Sequence, residues 1–247
     1  LVFMEVANEG KAYYPSKLMP WLYNDKLQSP VDAILDEAAK HGMKVFMSTG
    51  WAKDQDDNLL DPVIKERQLQ IMEELASLYK NHKAFYGWYL PVEDCLCPIF
   101  AEHAVQSVNA LTEKAHSLTP GKKTLISPYG IGLSEFDHPD FEKQMAKLKV
   151  DIIAYQDEVG CVRDKFTLPR LKKNWQRMRD IHNRLNIEMW ANCETFTWEE
   201  GTNDRQSALI PAAYSRLLSQ QVAASVAGVD KIISFMFGGI IEDPKSA

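Results

Sequence analysis

Two glutamates in this 247-residue chain stand where short apolar runs give out. Glu93 follows Gly87-Trp88-Tyr89-Leu90-Pro91-Val92, and Glu194 follows Met189-Trp190-Ala191-Asn192-Cys193. Two carboxyl groups are the minimum equipment for cutting a glycosidic bond. One protonates the leaving oxygen, and the other attacks as a nucleophile or activates a water. A third acid, Asp157, closes the run Tyr155-Gln156-Asp157, and Glu5 sits inside the apolar opening Leu1–Val6. An unpaired carboxylate in apolar surroundings is costly. Acids at such positions are therefore expected to face a polar site or a buried cation.

Aromatic residues accompany these acids. Trp51 follows Ser48-Thr49-Gly50, and Trp88 and Tyr89 precede Glu93. Tyr129 follows Ser127-Pro128, Tyr155 precedes Gln156, Trp190 and Trp198 bracket Glu194, and Phe237 follows the last apolar run. Sugars present apolar C–H faces, on which rings stack, and many hydroxyls, which carboxylates and amides bind. A pocket that joins apolar walls to a few placed polar groups suits such a ligand. Carbohydrate is the expected partner, with Gln156, Asp157 and Asn192 toward its hydroxyls. The competing role for the tryptophans is core filling.

The elements that must position these residues alternate between short apolar runs and amphipathic stretches. The runs are Leu1–Val6, Met43–Ser48, Phe85–Leu90, Thr124–Ser127, Asp151–Tyr155, Ile187–Ala191 and Lys231–Phe235. Such alternation predicts parallel strands joined by helical crossovers. Ser29-Pro30 and Asp61-Pro62 each supply a capping side chain and a first-turn proline, and Gly42 ends the first helix. In the second helix Ile64, Leu69, Met72, Leu75 and Leu78 form the expected buried stripe. Further helices are expected over Pro98–Leu118, Phe141–Leu148, Leu168–Leu185 and Ser207–Val226. Pro211 would start the last of these near Ile210 or kink it there. Seven strands and six helices in a chain of this length predict a single-domain TIM (β/α)8-type barrel over residues 1–247, apparently lacking its first βα unit. A doubly wound sheet is the rival, and no Gly-rich phosphate loop follows an early strand to support it. In a barrel the residues after the strands line the active-site face.

Composition narrows the function further. Net charge is −6, and Lys and Arg are scattered, which argues against nucleic acid. No apolar run reaches the ~18 residues of a membrane span. Cys95, Cys97, Cys161 and Cys193 lack zinc-type spacing and read as free thiols. His41, His82, His103, His116 and His182 fall on helices and read as surface residues. No HxH or HExxH pattern marks a metal site, and no GxSxG elbow marks a serine nucleophile. No cofactor is expected. The chain opens without Met, so a secreted or periplasmic location is favoured if an export signal has been removed. Two alternatives to hydrolysis stay open: a non-catalytic glycan-binding barrel, and a metal-dependent sugar isomerase or epimerase. Oligomeric state is not legible.

With the missing strand counted, Glu93 follows strand four and Glu194 strand seven. This resembles the large retaining glycosidase clan built on the same barrel. The resemblance implies Glu93 as acid/base and Glu194 as nucleophile, although Val92 stands where that clan usually has Asn. The segments Ala12-Tyr13-Tyr14-Pro15-Ser16-Lys17, Gly42-Met43-Lys44-Val45-Phe46, Gly87–Glu93 and Asp151–Asp157 also resemble an uncharacterised bacterial family, a domain of unknown function regarded as a glycoside-hydrolase-like TIM barrel. That resemblance implies a strand and helix ahead of Leu1.

Overall fold

A computed structural model describes residues 1–8, 10–21, 28–50, 60–161, 168–200 and 207–236. The chain divides into two compact units. The first comprises Leu1–Val92, His103–Ile126 and Leu148–Asp151, and the second Glu93–Glu102, Ser127–Lys147 and Ile152–Ala247.

The first unit carries four parallel strands: β1 (Val2–Phe3), β2 (Val45–Ser48), β3 (Phe85–Tyr89) and β4 (Lys123–Ile126), paired in that order. Between them in the chain run α1 (Pro30–Lys40), α2 (Pro62–Tyr79) and α3 (Glu102–Leu118). Ser29 caps α1 by accepting the Asp32 N–H at 3.1 Å. Asp61 caps α2 by accepting from Val63 at 2.8 Å and Ile64 at 3.4 Å. Each cap satisfies amides that no carbonyl of the first turn can reach. The buried stripe of α2 is rotated from the expected one. It runs through Gln68, Ile71, Met72, Leu75, Ala76 and Tyr79, and Leu78 is exposed. Gln68 turns inward because its amide donates to the Gly50 carbonyl at 3.0 Å.

Trp88 decides a question that the sequence left open. It is fully buried, its ring meets Phe85 edge-on at 4.9 Å, and its indole N–H donates to Thr119 Oγ1 at 2.8 Å, just past the end of α3. Trp88 is a core residue under the helices, with its one polar atom satisfied.

The second unit carries three parallel strands: β5 (Ile152–Gln156), β6 (Glu188–Glu194) and β7 (Lys231–Phe235). Its helices are α4 (Phe141–Met145), α5 (Leu168–His182) and α6 (Tyr214–Ala227). α4 is shorter than expected. The last helix starts at Tyr214, later than its apolar pattern suggested. Leu209–Pro211 instead pairs antiparallel with Phe196–Trp198. Proline has no N–H for a helix and its ring crowds the preceding turn, so Pro211 belongs to this short ribbon. Likewise α3 starts at Glu102, four residues after Pro98.

His182 is a correction to its expected surface role: it is 1% exposed. Its Nδ1 lies 2.9 Å from the Ile187 carbonyl and its Nε2 2.7 Å from the Tyr155 hydroxyl. A carbonyl can only accept, so Nδ1 carries the proton and Nε2 accepts from Tyr155. Burial pushes His182 down to about 4, which keeps the ring neutral. Tyr155 therefore faces helix α5 and packs on Trp175, and it is wholly buried.

If Trp88 is core, Trp88→Ala costs about 3–5 kcal/mol of folding stability. Chemical denaturation followed by far-UV circular dichroism measures this. A change below ~1 kcal/mol would place the ring outside the core.

Candidate active site

The strand ends of the second unit carry the site. Side chains alternate sides along a strand, so Asn192 and Glu194 of β6 share one face, while Cys193 takes the other. Gln156, the last residue of β5, lies in register with Asn192. Three polar side chains thus converge on one face of two neighbouring strands.

Glu194 is only 4% exposed. Its Oε2 accepts backbone N–H groups from Gly160 at 2.7 Å and Cys161 at 2.8 Å. The approach requires glycine. A Cβ at position 160 would stand 2.6 Å from the Phe196 carbonyl oxygen and 2.8 Å from Glu194 Oε2. Two donors on one oxygen favour the ionised carboxyl, but burial outweighs them. Burial, reinforced by the neighbouring Asp157, pushes Glu194 up to about 8. With Oε2 committed as an acceptor, the proton resides on Oε1.

Asp157 is wholly buried. Its Oδ1 accepts the Glu194 N–H at 3.1 Å and the Val159 N–H at 3.3 Å, and its Oδ2 accepts Gln220 Nε2 at 2.6 Å. Burial raises its carboxyl above the usual range, and these donors pull the other way. Gln220 Nε2 also lies 3.1 Å from the Glu194 carbonyl. Arg216 donates to the same carbonyl at 3.1 Å, to Phe196 O at 2.6 Å and to Val159 O at 3.2 Å. Asp157, Gln220 and Arg216 together hold both backbone groups of Glu194.

A second set of bonds leads to Glu93. Gln156 Nε2 donates to Glu93 Oε1 at 2.7 Å and to the Ser127 carbonyl at 2.9 Å. Asn192 Nδ2 donates to Ser127 Oγ at 3.0 Å. Glu93, Gln156, Ser127 and Asn192 are thereby one connected group. Nearby in the chain, Asp94 Oδ1 accepts the Cys95 N–H at 2.6 Å. Glu158 holds a left-handed backbone (φ 54°), and its Oε2 accepts the Gly132 N–H at 3.4 Å. Burial raises the Glu158 carboxyl above its ordinary range. Tyr129 keeps 39% of its surface exposed, a ring available at the rim, and burial of its hydroxyl pushes its pKa up.

The expected site residues thus fall into groups. Glu93 is bonded to Gln156, which lies in register with Asn192, and Glu194 follows Asn192 on the same strand face, with Asp157 buried behind Glu194 and Tyr129 at the rim. Trp88 and Tyr155 lie in the core. Trp190 shares a face with Glu194 but lies four residues back along β6, roughly 13 Å at ~3.3 Å per residue. Its ring covers the Lys231 ammonium at 4.8 Å, and its N–H meets Glu188 at 3.2 Å. Trp198 sits half-buried in the antiparallel ribbon, edge-on to Phe196 at 6.5 Å. In the first unit, Glu5 is half-buried beyond the end of β1, and Tyr89 is the buried last residue of β3. Trp51 and Phe237 lie outside the described residues. Sequence reasoning did not single out Gly160, Arg216, Gln220 or Ser127. Arg216 and Gln220 sit on α6 in a stretch that reads as ordinary amphipathic helix. Among the described residues, no three His, Cys, Asp or Glu side chains stand together as a metal site. None of the described helices is long and apolar enough to cross a membrane.

Comparison with known proteins bears on the fold and the family. A "putative alpha-L-fucosidase" from Bacteroides thetaiotaomicron VPI-5482 superposes with a TM-score of 0.74 at 20% identity, over 96% of this chain and 74% of that one. A GH10 xylanase from Thermobacillus composti gives 0.56 at 16% identity, over 91% and 74%. At these identities the likeness is one of fold, and the fold is the parallel α/β type of the TIM-barrel glycoside hydrolases. The glycosyl hydrolase DigH of Escherichia coli K12 is 33% identical over 91 residues, 33% of this chain. The chain spans only 20% of that relative's length. The family model named Domain of unknown function (DUF4434) matches residues 1–247, and the chain belongs to that family.

Proposed function

We propose that this protein is a glycoside hydrolase whose two working carboxyl groups are Glu93 and Glu194. The observation that carries the reading is the connected group Glu93–Gln156–Ser127–Asn192, which ends two residues from Glu194 on the same face. Acetal hydrolysis needs two carboxyls on one polar face, and this chain of bonds supports reading Glu93 and Glu194 as that pair. The glycosidase fold of the solved relatives supports the same reading.

The roles follow the strand order of the barrel, with β3 counted as strand four and β6 as strand seven. Glu93 is the acid/base. The Gln156 amide donates to Glu93 Oε1 and so orients the carboxyl. Glu194 is the nucleophile, and the retaining course is the one proposed. Before attack it must lose the proton that burial and Asp157 help it keep. The Gly160 and Cys161 amides then stabilise the carboxylate. A developing positive charge on the sugar ring favours the same ionisation. Asp157, with no surface exposed, acts through Glu194 and not on the sugar. Tyr129 supplies a stacking face.

Three measurements test this. A panel of p-nitrophenyl glycosides assayed for released p-nitrophenol should give turnover in the wild type. Glu93→Gln should lower kcat by roughly a hundredfold to ten-thousandfold. Sugar binding that persists in a wild type with no turnover on any glycoside would favour the non-catalytic alternative.

The pH profile carries a sign. The nucleophile works ionised, and burial places Glu194 near 8. Thus kcat/KM should climb as pH rises through about 8, and that limb should move to lower pH in Asp157→Asn, which removes a neighbouring negative charge. A fall in kcat/KM over the same interval would exchange the roles of the two glutamates. The linked stability effect runs the opposite way. A carboxyl raised on folding stabilises below its unfolded pKa, roughly 4.3, and loses that contribution as pH rises toward 8. Thermal melting should therefore decline between about pH 5 and 8 in the wild type, and less steeply in Glu194→Gln.

Gly160→Ala would push a methyl group against Glu194 Oε2 and the Phe196 carbonyl. A displacement on the order of 1 Å at a reacting group costs about a hundredfold in rate. Steady-state kinetics should show that loss mainly in kcat, and unchanged kcat would remove Glu194 from the chemistry.

A further inference from the structure

Asn192 holds a carbonyl oxygen that no described residue uses, and the surrounding bonds dictate why. The Ser127 hydroxyl has one proton, which it donates to the Ala154 carbonyl at 2.8 Å. Toward Asn192 it can therefore only accept, so Asn192 must present its Nδ2, at 3.0 Å. The amide cannot be turned over without setting one acceptor against another. Its Oδ1 is thus fixed in the opposite direction. Asn192 is 8% exposed, and Oδ1 is buried without a partner among the described residues. Buried polar atoms are paired as a rule, and an exception calls for a function.

The neighbours of this oxygen narrow what could meet it. Gln156, in register beside Asn192, has committed both amide protons, to Glu93 and to the Ser127 carbonyl. Two residues further along the same face stands Glu194. Ser127 and Gln156 therefore offer an arriving molecule no uncommitted donor, and Asn192 offers its Oδ1 beside the second proton of its Nδ2. A hydroxyl group fits: it donates one proton to Asn192 Oδ1 and leaves its lone pairs to solvent or to other donors.

We infer that Asn192 is a specificity-determining residue whose Oδ1 accepts one particular hydroxyl of the bound sugar, with Ser127 as the residue that fixes its orientation. The inference rests on the sugar-binding half of the function proposed above and is independent of turnover.

Binding provides the test, so that a protein without hydrolytic activity can still confirm or refute it. Wild type and Asn192→Ala are titrated with glucose, xylose, fucose and N-acetylglucosamine, and with the monodeoxy counterparts of whichever binds. Ligand-observed NMR reads the affinity. The expected result is a loss of about tenfold in Asn192→Ala, the size of one unmade hydrogen bond to a buried partner. The wild type should lose the same factor on one deoxy sugar, and the variant should lose nothing more on that sugar. Asn192→Ser, a smaller change that keeps a polar side chain but falls short of the ligand, should behave like Asn192→Ala. An equal loss on every deoxy sugar would mean a merely structural residue and overturn the inference. Undiminished affinity in both variants would do the same, as would a wild type that binds none of these sugars. A wild type that discriminates among the deoxy sugars yet cleaves no glycoside refutes the hydrolase reading and leaves this one standing.

Discussion

Asp157 is a carboxyl group with no surface exposed, and the end of the second unit is arranged around satisfying it. One of its oxygens takes the amides of Val159 and Glu194, and the other takes the Gln220 side chain. A buried acid left short of partners would destabilise the fold by several kcal/mol. The loop after β5, the end of β6 and helix α6 are therefore drawn to one point. The position of Glu194 is a consequence. Its backbone is tied to Asp157, Gln220 and Arg216 before its side chain makes any contact of its own.

The same bonding explains why Glu194 is an unusual carboxyl. The anchor that holds it is itself acidic, and the surroundings are dry. Both effects keep a proton on Glu194, while the Gly160 and Cys161 amides favour its release. A group balanced between opposed influences changes state readily when a ligand adds charge nearby. Active sites are where such opposition is concentrated. Glu93 is held differently, with the Gln156 amide donating to its Oε1, and stands half-buried. Two carboxyls in unlike surroundings are what a division of chemical labour requires.

Much of the architecture was legible because it follows from local rules. The seven apolar runs coincide with the seven parallel strands to within a few residues, and the five inner strands are apolar along most of their length because both their faces are buried. Ser29 and Asp61 cap as their types dictate. The errors came where a distant partner overrode a local pattern. Leu78 fits the apolar spacing of α2, but Gln68 found the Gly50 carbonyl and turned the helix face. His182 looks like a surface residue until the Ile187 carbonyl and the Tyr155 hydroxyl occupy both its nitrogens. Trp88 and Tyr155 precede a strand end as pocket residues would, yet each points to the helix side, because side chains alternate along a strand.

The sequence by itself determined the kind of protein this is: parallel strands, helical crossovers, acids and amides at the strand ends, and hence Glu93, Gln156, Asn192 and Glu194 as the residues to watch. These follow from periodicity and from the high cost of polar groups in apolar runs, both of which are properties of short segments. Only the tertiary structure decided which of them meet. It put Ser127 between Gln156 and Asn192, Asp157 behind Glu194, and Gly160 against a carboxylate that leaves no room for a methyl group. It also brought in Arg216 and Gln220 from a helix whose local sequence carries no mark of the site. Hydrogen-bond partners more than 20 residues apart are selected by packing and by the need to satisfy every buried polar atom, and a linear pattern does not contain that information.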